Sequence, residues 1–245
     1  LLRATELGGS GSVRLEFFNV HERAAHALLA AHPLTSDPST SDPNTSDPSS
    51  NGEPHLMVLG MGQLGRDLVV TAAQQWAEQR RGPLQITLVD RQSHGRLHAL
   101  RMRHPALRTT IAARCISLDI GNPSESAVAE FEEVLTQRPP TLVVSAFEDE
   151  SLAWTSGLFV RRRVTRLVDI VVRTDSDSGF GRHLETAVGE RGEFGRIVTF
   201  PFLDRACTTD LIDGGVREQL ARSLHADHVA RAGHGATLHR DWAEL

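Results

Sequence analysis

From His55 onward the chain alternates between two patterns, and the alternation leaves few folds open. Six apolar runs, "HLMVLG", "LQITLVD", "ARCISLD", "TLVVSAF", "RLVDIVVRT" and "RIVTFPF", have strand length. Between them lie amphipathic stretches such as "GRDLVVTAAQQWAEQ", "SESAVAEFEEVLTQ" and "DESLAWTSGLFVRRR", whose apolar residues recur at helical spacing. Strands that are apolar almost throughout must be covered on both faces, as happens when parallel strands are joined by helical crossovers. The expectation is an α/β fold: a Rossmann-like doubly wound parallel sheet of about six strands over residues 55–203.

The flanks read differently. Residues 1–32 hold one strand, Val13 to Phe18, and one helix, His21 to Ala31, with Asn19 placed to cap it and Glu22 at its positive end. This N-terminal βα extension is too small to stand alone. In residues 33–54 the unit Thr-Ser-Asp-Pro-Ser/Asn recurs from Thr35 to Ser49. Proline removes donors, and Ser and Asp favour local side-chain bonds, so the segment reads as a disordered linker. Residues 204–245 read as a C-terminal helical segment, with a helix from Gly215 to Ala232.

Composition removes several classes. A net charge of -5 without a long basic run argues against a dedicated nucleic-acid binder. Cys115 and Cys207 stand far apart, which gives neither a disulfide framework nor a metal-ligand spacing and fits a reducing cytoplasm. No apolar run approaches the roughly 18 residues of a membrane span. The chain starts at Leu1 rather than Met and stops at "HRDWAEL". Both ends read as cut from something longer, so a parent attached to a membrane stays open.

The turn after the first strand carries the functional signal. Gly60, Met61, Gly62, Gln63, Leu64 and Gly65 spell G-x-G-x-x-G, with a helix starting near Gln63. The first glycine allows a tight turn, the second lets backbone approach a pyrophosphate, and the third lets helix and strand pack closely. The helix dipole then faces the phosphates. Asp90 ends the second strand, where a carboxylate accepts from both ribose hydroxyls. Arg91 follows it, but Asp90 would repel a 2′-phosphate, so NAD, NADH or an adenine nucleotide is preferred to NADP. Asp119 is expected to end the third strand, and Ser145 to Asp149 to follow the fourth, at the carboxyl edge where such sheets bind ligands.

Taken together, "HLMVLGMGQLGRDLVV", "ITLVDR", "ISLDIGN" and "LVVSAFEDES" resemble the nucleotide-binding domain of potassium-conductance regulators, the RCK or TrkA N-terminal family. The resemblance implies that Gly60, Gly62 and Gly65 hold phosphates, that Asp90 holds the ribose, and that Asp119 lies near the adenosine. It covers His55 to about Arg173. After the fourth strand the family carries a thr-asp-asp-glu-x-asn pattern; here "FEDESL" keeps Asp149 and Glu150 but has Leu152 in place of the asparagine. A second likeness, at "REQLARSLHADHVARAGHGATLHRDWAEL", is to the start of the repeat found in ryanodine receptors, with His228 where that helix usually has tyrosine.

Catalysis is not expected. Hydride transfer needs a proton donor and a second surface that places substrate against nicotinamide. The sequence contains no tyrosine, and about forty residues follow the sixth strand, too few for a separate substrate domain. The histidines, including His94, His98, His104, His225, His228, His234 and His239, read as surface residues rather than metal ligands. Arg161 to Arg163 read as a solvated helix end. The sequence thus points to a non-catalytic cytoplasmic sensor of NAD or NADH, with ATP, ADP or ADP-ribose as alternative ligands. It is expected to form a homodimer, to serve an attached channel, transporter or effector, and to bind no nucleic acid. The competing readings are an NAD-dependent oxidoreductase lacking its substrate domain and an interaction domain with a vestigial site.

Overall fold

Six strands and seven helices make up the computed structural model, which describes residues 19–34, 54–78, 82–165, 168–176 and 196–207. His21–Ala206 form one compact unit, and the sheet lies within it. The strands are β1 His55–Leu59, β2 Leu84–Asp90, β3 Ile111–Ser117, β4 Leu142–Ser145, β5 Asp169–Thr174 and β6 Arg196–Pro201. The helices are α1 Val20–Ala31, α2 Gln63–Glu78, α3 Ser93–Arg103, α4 Leu107–Thr110, α5 Glu125–Gln137, α6 Glu150–Arg161 and α7 Phe202–Ala206.

The sheet order is β3-β2-β1-β4-β5-β6, and every pair is parallel. This is the Rossmann-like doubly wound arrangement expected from the alternation. Chain progression reverses between β1 and β4, whose carboxyl ends therefore diverge and open a crevice. All residues of β1 and β4 are buried, because helices cover both faces there. Edge strand β3 instead is buried only at Ile111 and Ile116, with its other positions partly or fully exposed.

Beneath α5 and α6, Met57, Leu59, Val143, Ile170 and Val172 pack against Phe131, Val134, Trp154 and Val160. Burying each large side chain contributes about 1.5–3 kcal/mol. Ser124 starts α5 by accepting from the Ala127 amide at 3.3 Å, and Asp149 starts α6 by accepting from Leu152 at 2.7 Å. Arg163 donates to Glu132 at 3.0 Å and lies over the Phe159 ring, so the end of α6 is tied to α5 rather than simply solvated.

Helix α1 buries Ala24, Ala25, Leu28 and Leu29, one helical face. Its start and its C-terminal flank are fastened to the same side of the sheet. The His21 ring stacks on Phe202, just after β6, with centroids 5.0 Å apart, while His32 Nδ1 stands 3.7 Å from Asp169 at the start of β5. The helix therefore runs antiparallel to those strands. Arg196 also donates two bonds to Asp169, at 2.9 and 2.8 Å.

Sequence and structure differ at three further places. Helices α3 and α4 occupy the stretch read as a mixed polar run, since α3 needs only Ser93, Leu97 and Leu100 on its buried face. Strand β3 stops at Ser117, so Asp119 lies in the following loop rather than at the strand end. Ser145 is the last residue of β4 rather than part of the loop beyond it. The expected strand Val13 to Phe18, most of the linker, the helix Gly215 to Ala232 and the ryanodine-type segment lie outside the described residues. Among the described residues no helix is long and apolar enough to cross a membrane.

His55 anchors the amino end of β1. Its Nδ1 donates to the Arg138 carbonyl at 2.9 Å, which leaves Nε2 to accept from the Thr87 hydroxyl at 2.8 Å in the neutral ring. Burial pushes its pKa below the usual 6.5 despite the bonds to backbone carbonyls. Asp169 moves the other way from its burial: the His32 ring and the Arg196 guanidinium hold its carboxyl down to about 2, against an ordinary 3.8. Each folded pKa lies below its unfolded value, so the stability each group supplies is full above the unfolded value and falls as pH drops toward the folded one. An acid titration of the melting temperature is expected to show a loss beginning near pH 6.5, shallower in His55→Asn, and a second loss between about pH 4 and 2, absent in Asp169→Asn. Unchanged slopes in both variants would contradict these assignments.

Candidate functional site

The turn after β1 is built by sterics. Gly60 has φ of +89°, in the left-handed region that a side chain disfavours, and a Cβ there would stand 2.9 Å from the Phe147 ring. Its amide donates to the Val89 carbonyl at 2.8 Å, and the Ala146 amide donates to Leu59 at 2.8 Å. The chain thus leaves the sheet bonded to both neighbouring strands. At Gly65 a Cβ would lie 2.1 Å from the Gly60 carbonyl oxygen, so the first turn of α2 rests directly on the turn it follows.

Asp90 braces this turn from β2. Its Oδ2 accepts from the Met61 amide at 2.9 Å and its Oδ1 from the Gln92 amide at 2.8 Å, while Arg96 Nη1 stands 3.4 Å away. The side chain is only 7% exposed. A carboxylate offers about four acceptor positions, so these partners leave capacity for a hydroxyl.

A cleft of roughly 640 Å³ opens at the carboxyl ends of β1 through β4, within the range of small-molecule sites. The glycine turn and α2 contribute Met61, Gly62, Gln63 and Arg66; the end of β2 and α3 contribute Asp90, Arg91, Gln92 and Arg96. Leu118, Asp119 and Ile120 come from the loop after β3, and Phe147, Glu148 and Leu152 from beyond β4. Two of the three arginines are charge-matched: Arg91 stands 3.6 Å from Asp119, and Arg96 beside Asp90. Arg66 donates to the Gly62 carbonyl at 3.1 Å and has no carboxylate at ion-pair distance among the described residues. It lies in the first turn of α2, whose amino end is suited to an anion.

Six of the sequence-assigned residues line this cleft: Met61, Gly62, Gln63, Asp90, Arg91 and Asp119. Gly60 and Gly65 shape it from behind, and Leu64 is buried in the core. Ser145 is not brought to it. Its hydroxyl donates to the Ala153 carbonyl at 3.0 Å and lies 2.6 Å from Ser156, fully buried under α6. Asp149 and Glu150, the acids on which the resemblance after β4 rests, are engaged locally: Asp149 caps α6, and Glu150 accepts from the Asp175 amide at 3.2 Å.

Sequence reasoning missed Arg66, Gln92, Arg96, Leu118 and Ile120, whereas Phe147 and Glu148 fall within the stretch Ser145 to Asp149 expected at the carboxyl edge, and Leu152 stood out only as a departure from the resembled pattern. Arg66 had a usable signal, since it lies four residues after Gly62 at the start of a helix. Arg96 had none, because its helix was not anticipated. Phe147 and Glu148 are placed by a long-range partner: Arg173, at the end of β5, donates to their carbonyls at 3.0 and 2.6 Å and to Asp175 at 2.9 Å. Its guanidinium lies 4.7 Å over the Phe202 ring, the same ring that His21 stacks on. Burial lowers the His21 pKa, with Asp67, Arg173, Glu148 and Arg66 adding smaller, opposed influences.

The close approach at Gly65 sets a direct test. Gly65→Ala is expected to lose about 2–3 kcal/mol through overpacking, lowering the melting temperature by roughly 5–10 °C. Gly82→Ala, where an added Cβ meets nothing within 4 Å, is the control and should match the parent. Equal melting temperatures for all three proteins would contradict the packing described for the turn.

Comparison of the chain with models of known protein families returns no match, and comparison with curated proteins returns none.

Proposed function

We propose that the chain is a non-catalytic nucleotide-sensing domain. Its ligand is NAD or NADH, with ATP, ADP or ADP-ribose as the alternatives. The carrying observation is the Gly60 to Gly65 turn, braced by Asp90 and opening onto the cleft that contains Arg66. In this reading the phosphates lie against Gly62 and the start of α2, near Arg66. The ribose meets Asp90, and the adenosine lies toward Asp119. The resemblance to potassium-conductance regulators supports a homodimer in the cytoplasm that controls an attached channel, transporter or effector. Nucleotide would act through its differential affinity for two conformations, which is all a ligand has with which to shift an equilibrium. The interaction-domain reading has one observation in its favour, the Glu148 carboxylate beside Gly62.

Thermal unfolding of the full chain with NAD, NADH, ADP-ribose, ADP and ATP tests the proposal. At about 100 times its dissociation constant the right ligand adds roughly 2.7 kcal/mol, an upward shift of about 5–10 °C. Asp119→Asn should weaken binding while leaving the unliganded melting temperature nearly unchanged, whereas substitution of Asp90 would also disturb the turn. No shift with any nucleotide would refute the sensor, and NADH oxidation coupled to reduction of a carbonyl compound would replace it with the oxidoreductase.

A further inference from the structure

Glu148 occupies a telling position. Its Oε1 lies 3.3 Å from where a Cβ would project at Gly62, with its Cδ and Cγ at 3.8 Å. That is the place left open by the second glycine for a pyrophosphate to approach the backbone. The side chain is solvent-exposed, so packing does not force it there. What determines its reach is the backbone: Arg173 holds the Phe147 and Glu148 carbonyls with two hydrogen bonds, and its own side chain is 9% exposed. Arg173 is held in turn by Asp175 and by the face of Phe202. A buried guanidinium thus fixes the root of an exposed carboxylate that projects over the phosphate position.

We infer that Glu148 is an internal occupant of the phosphate subsite, an anion of the protein's own that an incoming phosphate must displace. The inference rests on the nucleotide reading above. Like charges at this separation repel, so phosphate binds only when the Glu148 side chain swings out toward solvent. The carboxylate therefore sets a threshold on affinity for the phosphate-bearing part of the ligand and leaves the nucleoside part untouched. Leu152, where the resembled family has asparagine, lies in the same cleft and offers no hydrogen bond to hold Glu148 elsewhere.

The experiment is titration calorimetry of the full chain and of Glu148→Gln with two probes, ADP and adenosine. Glu148→Gln should bind ADP about three- to fivefold more tightly than the parent, the scale of one exposed charge contact. Adenosine, which has no phosphate, should bind both proteins equally. Glu148→Ala should reproduce the gain, separating loss of charge from any new amide contact. Parent and variant binding ADP with equal affinity, or an equal gain for adenosine, would overturn the role of Glu148 while leaving the nucleotide site standing. Binding of neither probe to either protein would overturn the nucleotide site itself, and this inference with it.

Discussion

The hydrogen bond from the Met61 amide to Asp90 ties the turn after β1 to the end of β2, and the site is arranged around it. Met61 follows a glycine held at a positive φ, and its amide would otherwise end buried without a partner. Leaving such a donor unpaired costs about 1–3 kcal/mol. Asp90 removes that cost and, by also accepting from Gln92, fixes the chain as it leaves β2. With the turn so held, α2 can start within contact of the Gly60 carbonyl, which only a glycine at position 65 permits. The carboxylate is thus a structural strut first, and its remaining acceptor capacity is what a ribose would use.

A second set of contacts reaches the crevice from the opposite side. Arg173 links the loop beyond β4 to β5, Phe202 links Arg173 to His21, and α1 lies along that half of the sheet, secured at its far end by His32 near Asp169. These are packed, largely buried groups, so movement of the Phe147 to Glu148 loop would be felt at the start of α1. This is physical adjacency; coupling in the functional sense requires a two-state element biased from both ends.

Much of the fold was legible in the sequence because burial on both faces writes itself as continuous apolar runs. The central strands β1, β2, β4 and β5 fall on such runs, the edge strands β3 and β6 on less continuous apolar stretches, and α2 begins at Gln63 as the glycine spacing requires. Helix α3 was illegible for the converse reason. In "SHGRLHALRMR" two leucines three residues apart carry the apolar burial beside buried Ser93, and the remaining histidines, arginines, Gly95, Ala99 and Met102 are partly or fully exposed. The strand end at Ser117 was misplaced because Leu118 and Ile120 extend the apolar pattern, being buried in the core at the crevice wall although they lie in the loop beyond the strand. Within the site, residues fixed by backbone chemistry were readable: the glycines and Asp90. Glu148 was readable only as part of the loop after β4, because its position beside Gly62 depends on Arg173, 25 residues away in sequence. Ser145 misled for a related reason, since a polar residue at a strand's carboxyl end can equally satisfy a helix carbonyl.

The central claim is that a nucleotide lies against the turn that Asp90 braces. Amide hydrogen exchange of the full chain, with and without saturating ADP or NADH, tests it at the residues concerned. Slowed exchange is predicted to concentrate in residues 60–66 and 90–96, the segments that would contact phosphate and ribose, with smaller effects at 147–152. Unchanged exchange in both segments under either nucleotide, or protection confined to regions away from the crevice, would contradict it.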